Sequence, residues 1–280
     1  MLVTSKQIFQ VAQEKGFAFP APNFIDQLSI ASYIEVAEKR KIPMLLSFAQ
    51  VHQEFLSLEE AACLGRFYGE RTKMPMVLHL DHGQDLDTIM RAIELGFTSV
   101  MIDASMENLE ENIRRTKEVV KYAHQRGVVV EAEIGHVGSG ENYESHTVTD
   151  SIYTSPAEAK YFADKTQVDS LAISIGTAHG SYKAEPKIQF DVLQQIRQSV
   201  TIPLVLHGGS SSGDDNLRRC AREGISKVNV FTDLMNAAGQ AVKNQEVQNY
   251  IEVKDLSRQG IIRCLEHFCD ILEVDKYGRA

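Results

Sequence analysis

The feature that most constrains this chain is a rhythm: eight short apolar runs alternate with helical periods along most of its length. The runs are Phe17 to Phe24, Ile42 to Phe48, Leu78 to Gly83 (led in from Met74), Thr98 to Ser105, Val128 to Gly135, Asp169 to Gly180, Pro203 to Gly213 and Ile225 to Leu234. Helical stretches lie between them. A first one, capped by Thr4 or Ser5, runs to Lys15 before Gly16, and Leu28 to Lys39, Leu86 to Leu95 and Leu109 to Arg126 follow. Ser57 with Glu60, and Ser155 with Pro156 and Glu158, form capping-box starts for two more. Phe190 to Gln198 and Leu217 to Glu223 continue the series, and from about Val253 the chain reads as a carboxy-terminal helical extension. Eight such pairs without a repeat or linker predict one closed (β/α)8 barrel over residues 1–280. An open doubly wound sheet competes, but the GxGxxG turn it would carry after its first strand is absent.

Composition narrows the function class. A net charge of -9 argues against nucleic acid and anionic membrane surfaces as partners, while leaving room for a local phosphate site. The four cysteines, Cys63, Cys220, Cys264 and Cys269, are scattered and suggest reduced thiols rather than a disulfide or zinc framework. No signal-peptide pattern opens the sequence, and no apolar stretch nears the roughly 20 residues of a membrane helix. A cytoplasmic protein is expected.

The chemistry gathers at LHLDHG, Leu78 to Gly83. A buried parallel strand ends here, and in such barrels the carboxyl ends of strands carry the reactive groups. Neighbouring side chains on a strand point to opposite faces, so Asp81 and His82 share one site only where strand becomes loop, which Gly83 is expected to permit. Taken alone, the stretch is equally explained by Asp81 capping the next helix and His82 packing as a core imidazole.

Its partners change the balance. Asn23, Ser47, Asp103, Glu133, His179, His207 and Asn229 also fall at strand ends, where a packed core needs no polar groups. His82, His179 and His207, each from a different strand, can give a zinc ion three ligands and leave a fourth position for substrate. His52, His124, His136, His146 and His267 fall on helices or loops and read as surface or core residues; His79 reads as packed. GTAHG, HGGSSSG and NVFTD offer backbone N–H groups and hydroxyls to an anion, the last two after the seventh and eighth strands, where barrels commonly hold phosphate. Tight turns explain either segment alone. Lys183 either supplies a charge there or is solvated.

LHLDHG, SVMIDAS, VEAEIG, GTAHGSYK, PLVLHGGS and NVFTD, in this order and spacing, resemble the class II ketose-bisphosphate aldolases, zinc enzymes acting on fructose and tagatose bisphosphates. The resemblance runs from about residue 3 to the end. It implies that His82, His179 and His207 bind the catalytic Zn2+, with Asp103 and Glu133 at a second or alternative metal site, and it leaves room for a monovalent cation. It further implies that Asp81 exchanges the proton of the sugar hydroxyl and that Glu141, in the loop after the fifth strand, exchanges the proton on the dihydroxyacetone phosphate carbon. Gly180, Gly208, Gly209, Ser210, Asn229, Val230, Phe231 and Thr232 match segments that hold dihydroxyacetone phosphate. Asn23, Ser47 and Lys183 complete the expected substrate contacts, and a homodimer or homotetramer is expected.

Retro-aldol cleavage needs an electron sink, which a Lewis-acidic metal or a lysine Schiff base can supply. Lys227 is the one candidate lysine on a strand, and it is expected to start its strand at the wrong face, so the metal route is favoured. Three segments depart from the family pattern. Ser211 stands where the phosphate turn usually has a second glycine, the loop usually written GGQEDD is here GSGENYES, and Phe231 replaces a small or polar residue; SFAQVHQEF after the second strand is also unusual. These changes leave the aldehyde partner open. A barrel hydrolase lacks its HxH signal here, and a non-catalytic sugar-phosphate barrel would have lost Asp81 or a histidine, which this chain keeps.

Overall fold

The computed structural model describes residues 1–137, 153–180 and 186–278. Eight parallel strands form one sheet in the order β1-β8-β7-β6-β5-β4-β3-β2. They are β1 (Phe19–Pro22), β2 (Met44–Ala49), β3 (Met76–Gly83), β4 (Ser99–Ile102), β5 (Val129–Ile134), β6 (Ser170–Ile173), β7 (Leu204–Leu206) and β8 (Ile225–Val230). Ladders join neighbours all the way round to β8 against β1, but β1 and β2 meet only through the bridge Asn23–Ser47, where the Phe24 N–H donates to the Ser47 carbonyl at 2.9 Å. The result is the predicted (β/α)8 barrel, closed at one seam by a single bridge. Every strand residue is buried but His82, as expected for a parallel sheet covered by helices.

The helices are α1 (Ser5–Lys15), α2 (Gln27–Arg40), α3 (Leu58–Arg71), α4 (Leu86–Leu95), α5 (Leu109–His124), α6 (Pro156–Thr166), α7 (Phe190–Ser199), α8 (Asp214–Glu223), α9 (Thr232–Lys243) and α10 (Tyr250–Ile271). The two expected capping boxes are present, Ser57 with Glu60 and Ser155 with Glu158. Thr4, by contrast, makes no side-chain cap. A third box, Asp26 with Ser29, starts α2.

Six strands end earlier than their apolar runs, and β6, β7 and β8 do so by the most. β6 stops at Ile173, and three residues on Gly176, with a φ of 120°, turns the chain. β7 stops at Leu206 and β8 at Val230, so His207 and Phe231 begin loops. α10 starts before Val253 because Asn249 caps it, accepting from the Ile251 and Glu252 N–H groups. It crosses α9 closely: a Cβ on Gly260 would lie 2.4 Å from the Ala237 carbonyl oxygen. Beyond it, Tyr277 packs edge-on against Phe19 at 5.9 Å. Among the described residues no helix is long and apolar enough to cross a membrane.

Candidate active site

The end of β3 is bulged. His79 pairs Ser99 and Leu80 pairs Val100, but Gly83 pairs Ile102, so Asp81 and His82 together oppose the single residue Met101. His82 itself adopts a φ of 47°, the left-handed region that a histidine seldom enters. This conformation brings two consecutive side chains to one site. The expectation that Gly83 supplies the freedom is corrected: its φ is not positive, and its need is space, since a Cβ there would lie 2.5 Å from the Met101 carbonyl oxygen.

His82, His179 and His207 present nitrogens within 4.8 Å of one another. His82 lies at the end of β3 and His207 directly follows β7, whereas His179 reaches in from the loop beyond β6, not from a strand end as expected. The His82 Nδ1 lies 2.7 Å from Asp103 Oδ2, and the His207 Nε2 lies 3.1 Å from Glu131 Oε1. Carboxylates only accept, so these nitrogens carry ring protons, and the other two, His82 Nε2 and His207 Nδ1, are the ones turned toward the cluster. Those two nitrogens face each other at 2.7 Å. At that distance they share a proton, His82 Nε2–H donating to His207 Nδ1, in a position that a cation bound by both nitrogens would take over. Burial opposes a charge on His82, but Asp81, Asp103 and Glu133 outweigh it and raise the imidazole to about 9. Burial and the neighbouring His82 and His207 push His179 down to about 3, leaving it a neutral donor. The residues therefore fit a cation with nitrogen ligands. His82, Asp103 and Glu133 form an overlapping donor set, also within 4.8 Å, and the buried Glu133 Oε2 has no hydrogen-bond partner among the described residues.

Asp81 is buried and accepts from two amides, Asn23 Nδ2 at 2.9 Å and Asn229 Nδ2 at 2.8 Å. Burial would raise its pKa, but His82 and Lys227 outweigh that and hold the carboxylate well below its usual range. The other oxygens of both amides, Asn23 Oδ1 and Asn229 Oδ1, are buried without a partner among the described residues. Tyr33 steadies Asn23 by donating to its carbonyl at 2.7 Å.

Lys227 requires a second correction. It is the third residue of β8 and points into the barrel, not away from the site. Its Nζ lies 2.8 and 2.9 Å from the two Glu131 oxygens, 3.1 Å from His79 Nε2 and 3.9 Å from Asp81 Oδ1. The ammonium thus fills the His79–Asp81–Glu131 cluster beneath the cleft. His79 packs as expected, bonded to Ser99 at 2.8 Å, with burial and Lys227 pushing it down to about 3.

Above this layer lies a cleft of about 370 Å3. It brings together Asn23, Asp81, His82, Asp103, Glu133, His179, Gly180, Gly208, Gly209, Ser210, Asn229, Val230, Phe231 and Thr232. Its β7–β8 side is the amino terminus of α9 beside the Gly208–Ser210 turn, an arrangement that favours an anion. Ser210 Oγ accepts from the Phe231 and Asp233 N–H groups and so ties the turn to that terminus. Ser211 keeps a glycine-like φ of 59°, and its hydroxyl and N–H both donate to Asp233, at 2.9 and 2.7 Å.

Ser47 does not join the cleft. It is fully buried and pairs with His79, one layer below Asp81. Glu141 and Lys183 lie outside the described residues. Conversely, His52 and His136, read from sequence as bystanders, line the cleft along with Gln84 and Val137. The signal available for His52 was the unusual SFAQVHQEF stretch.

A model of the class-II fructose-bisphosphate aldolase family matches residues 3–275. The YdjI aldolase from Escherichia coli K12 is 33% identical, with 98% of each chain covered and a TM-score of 0.88. A candidate fructose-1,6-bisphosphate aldolase from Coccidioides immitis is 27% identical over 96% of this chain and 95% of its own, with a TM-score of 0.84. Fructose-bisphosphate aldolase from Campylobacter jejuni, 23% identical over 98% and 96%, shares the fold at a TM-score of 0.80.

Proposed function

Starting from the fact that this chain belongs to the class-II fructose-bisphosphate aldolase family and is a lyase, we propose that it is a zinc-dependent enzyme that reversibly cleaves a ketose 1-phosphate to dihydroxyacetone phosphate and an aldehyde. Fructose and tagatose 1,6-bisphosphate are the substrates that the family suggests first. One observation carries the reading: His82 Nε2 and His207 Nδ1 face each other at 2.7 Å, each ring fixed from behind by a carboxylate.

His82, His179 and His207 would hold the zinc, which when bound supplies a Lewis acid for the negative charge that cleavage delivers to the ketone side. The remaining work falls to the protein. The α9 terminus and the Gly208–Ser210 turn favour the phosphate of the triose half. The free amide oxygens of Asn23 and Asn229 can accept from sugar hydroxyls and orient them toward Asp81. Asp81, kept ionised, takes the proton of the C4 hydroxyl as the C3–C4 bond breaks. The C4 oxygen becomes the aldehyde carbonyl, and the bonding pair passes to the triose fragment, whose C3 then gains a proton. Glu141 is proposed as the donor of that proton. Asp103 and Glu133 offer an alternative seat for the metal.

The test is triose phosphate release from candidate ketose phosphates by zinc-loaded protein, beside chelator-treated protein. Cleavage that disappears with the chelator and returns with zinc is the expected result. Chelator-insensitive cleavage would overturn the metal route.

A further inference from the structure

Resting on the aldolase reading above, we infer that the aldehyde half carries no phosphate, and that Phe231 and His52 form the wall that selects it. The order of strands around the barrel fixes which end of the substrate meets which wall. The anion-favouring groups sit after β7 and β8, Asp81 and His82 end β3, and β1 and β2 lie between β8 and β3, with Ala49 paired to Asp81 and Asn23 bonded to it. A substrate whose phosphate rests at α9 and whose C4 hydroxyl meets Asp81 therefore has the β1–β2 rim beside its aldehyde half.

That side is aromatic and apolar. The Phe231 ring lies 4.5 Å from the His52 ring, centroid to centroid, and His52 is flanked by Phe48 at 6.4 Å and Phe55 at 6.3 Å. Ala49 and Val51 line the same side. His52 is only 8% exposed, and burial lowers its pKa, so the imidazole is neutral; its Nδ1 has no partner among the described residues. A phosphate dianion pressed here would lose its water to ring faces and methyl groups. It would also face the carboxylates of Asp81, Asp103 and Glu133, and none of the described residues lining the cleft is a lysine or arginine. A hydroxylated carbon chain suits the same wall. Its C–H faces rest on Phe231 and Val51, and its hydroxyls reach Asn23 Oδ1 and Asn229 Oδ1. In the synthetic direction the C3 of dihydroxyacetone phosphate loses a proton and bonds to the aldehyde carbon. The aldehyde oxygen takes up a proton, and the product is a ketose 1-phosphate.

The experiment compares glyceraldehyde with glyceraldehyde 3-phosphate as acceptors for dihydroxyacetone phosphate, using the zinc-loaded full chain. Exchange of the C3 hydrogen of dihydroxyacetone phosphate in D2O is followed in parallel. The expected result is a kcat/KM for glyceraldehyde exceeding that for its phosphate by about tenfold or more, and a ratio that moves toward the phosphorylated acceptor in Phe231→Arg. Zinc content and the unfolding midpoint report whether that variant folds, and the wild-type ratio decides the matter if it does not. Exchange with a preference for glyceraldehyde 3-phosphate would overturn the inference while leaving the aldolase reading intact. Absence of both exchange and condensation would overturn that reading and this inference with it.

Discussion

Lys227 grips both oxygens of Glu131 inside the barrel, at 2.8 and 2.9 Å, with neither side chain more than 1% exposed. Burial would raise the Glu131 carboxyl, but Lys227 and His207 hold it down at about 2. The carboxylate is thereby free to orient His207 at 3.1 Å. Lys227→Met leaves Glu131 as an unpaired buried charge and should cost about 3–5 kcal/mol, read by urea unfolding. Adding Glu131→Gln should recover part of that stability yet weaken zinc binding about 10–100-fold in a chelator competition, because His207 loses its anionic support.

Asp81→Ala should lower the rate of cleavage by about 10²–10⁴-fold while zinc content stays at the wild-type level. Metal analysis of the purified variant checks this. Loss of zinc together with activity would make Asp81 a ligand rather than a base.

Ser211 holds a left-handed backbone and repays it with hydrogen bonds to Asp233. Ser211→Gly exchanges a hydroxyl bond for backbone relief and should change stability by less than about 1 kcal/mol. Ser211→Val has a β-branched side chain and no hydroxyl, so a loss of about 2 kcal/mol is expected. Thermal unfolding of both variants separates backbone from side-chain effects.

Glu273 ties the segment after α10 to α8 through Arg222, with Lys276 beside it at 2.7 Å. The hydrogen bond from Arg222 is the main cause that lowers its carboxyl from 4.5 to about 2. A depressed folded pKa gives stability that is fully present above 4.5 and is lost as pH falls through about 2. The Tm difference between wild type and Glu273→Gln should therefore be constant near neutrality and shrink across that acid window. A difference that persists below pH 2 would assign the effect to packing.

The barrel was legible because its signal is local. Apolar runs, caps at Ser57 and Ser155, and stops such as Gly96 act within a few residues of one another. The three histidines were legible by type, and His82 and His207 by their place at the ends of β3 and β7. What escaped depended on the third dimension. Lys227 meets Glu131 and His79 across 96 and 148 residues, so no pattern within β8 reveals that it faces inward. His52 lines the cleft beside Phe231, which comes from the other side of the seam. Ser47 follows the strand rule faithfully, but one layer too low. The bulge at Asp81 and His82 breaks the alternation from which strand faces are read.

That bulge sets the shape of this protein's evolutionary trade-off. A regular β3 would be the more stable strand, and it would turn His82 away from the cluster. Holding histidine at a φ of 47° costs about 1 kcal/mol, which His82→Gly would return. Selection for heat tolerance alone should therefore accumulate glycine at position 82, and among the first properties such a lineage would surrender is its hold on the metal.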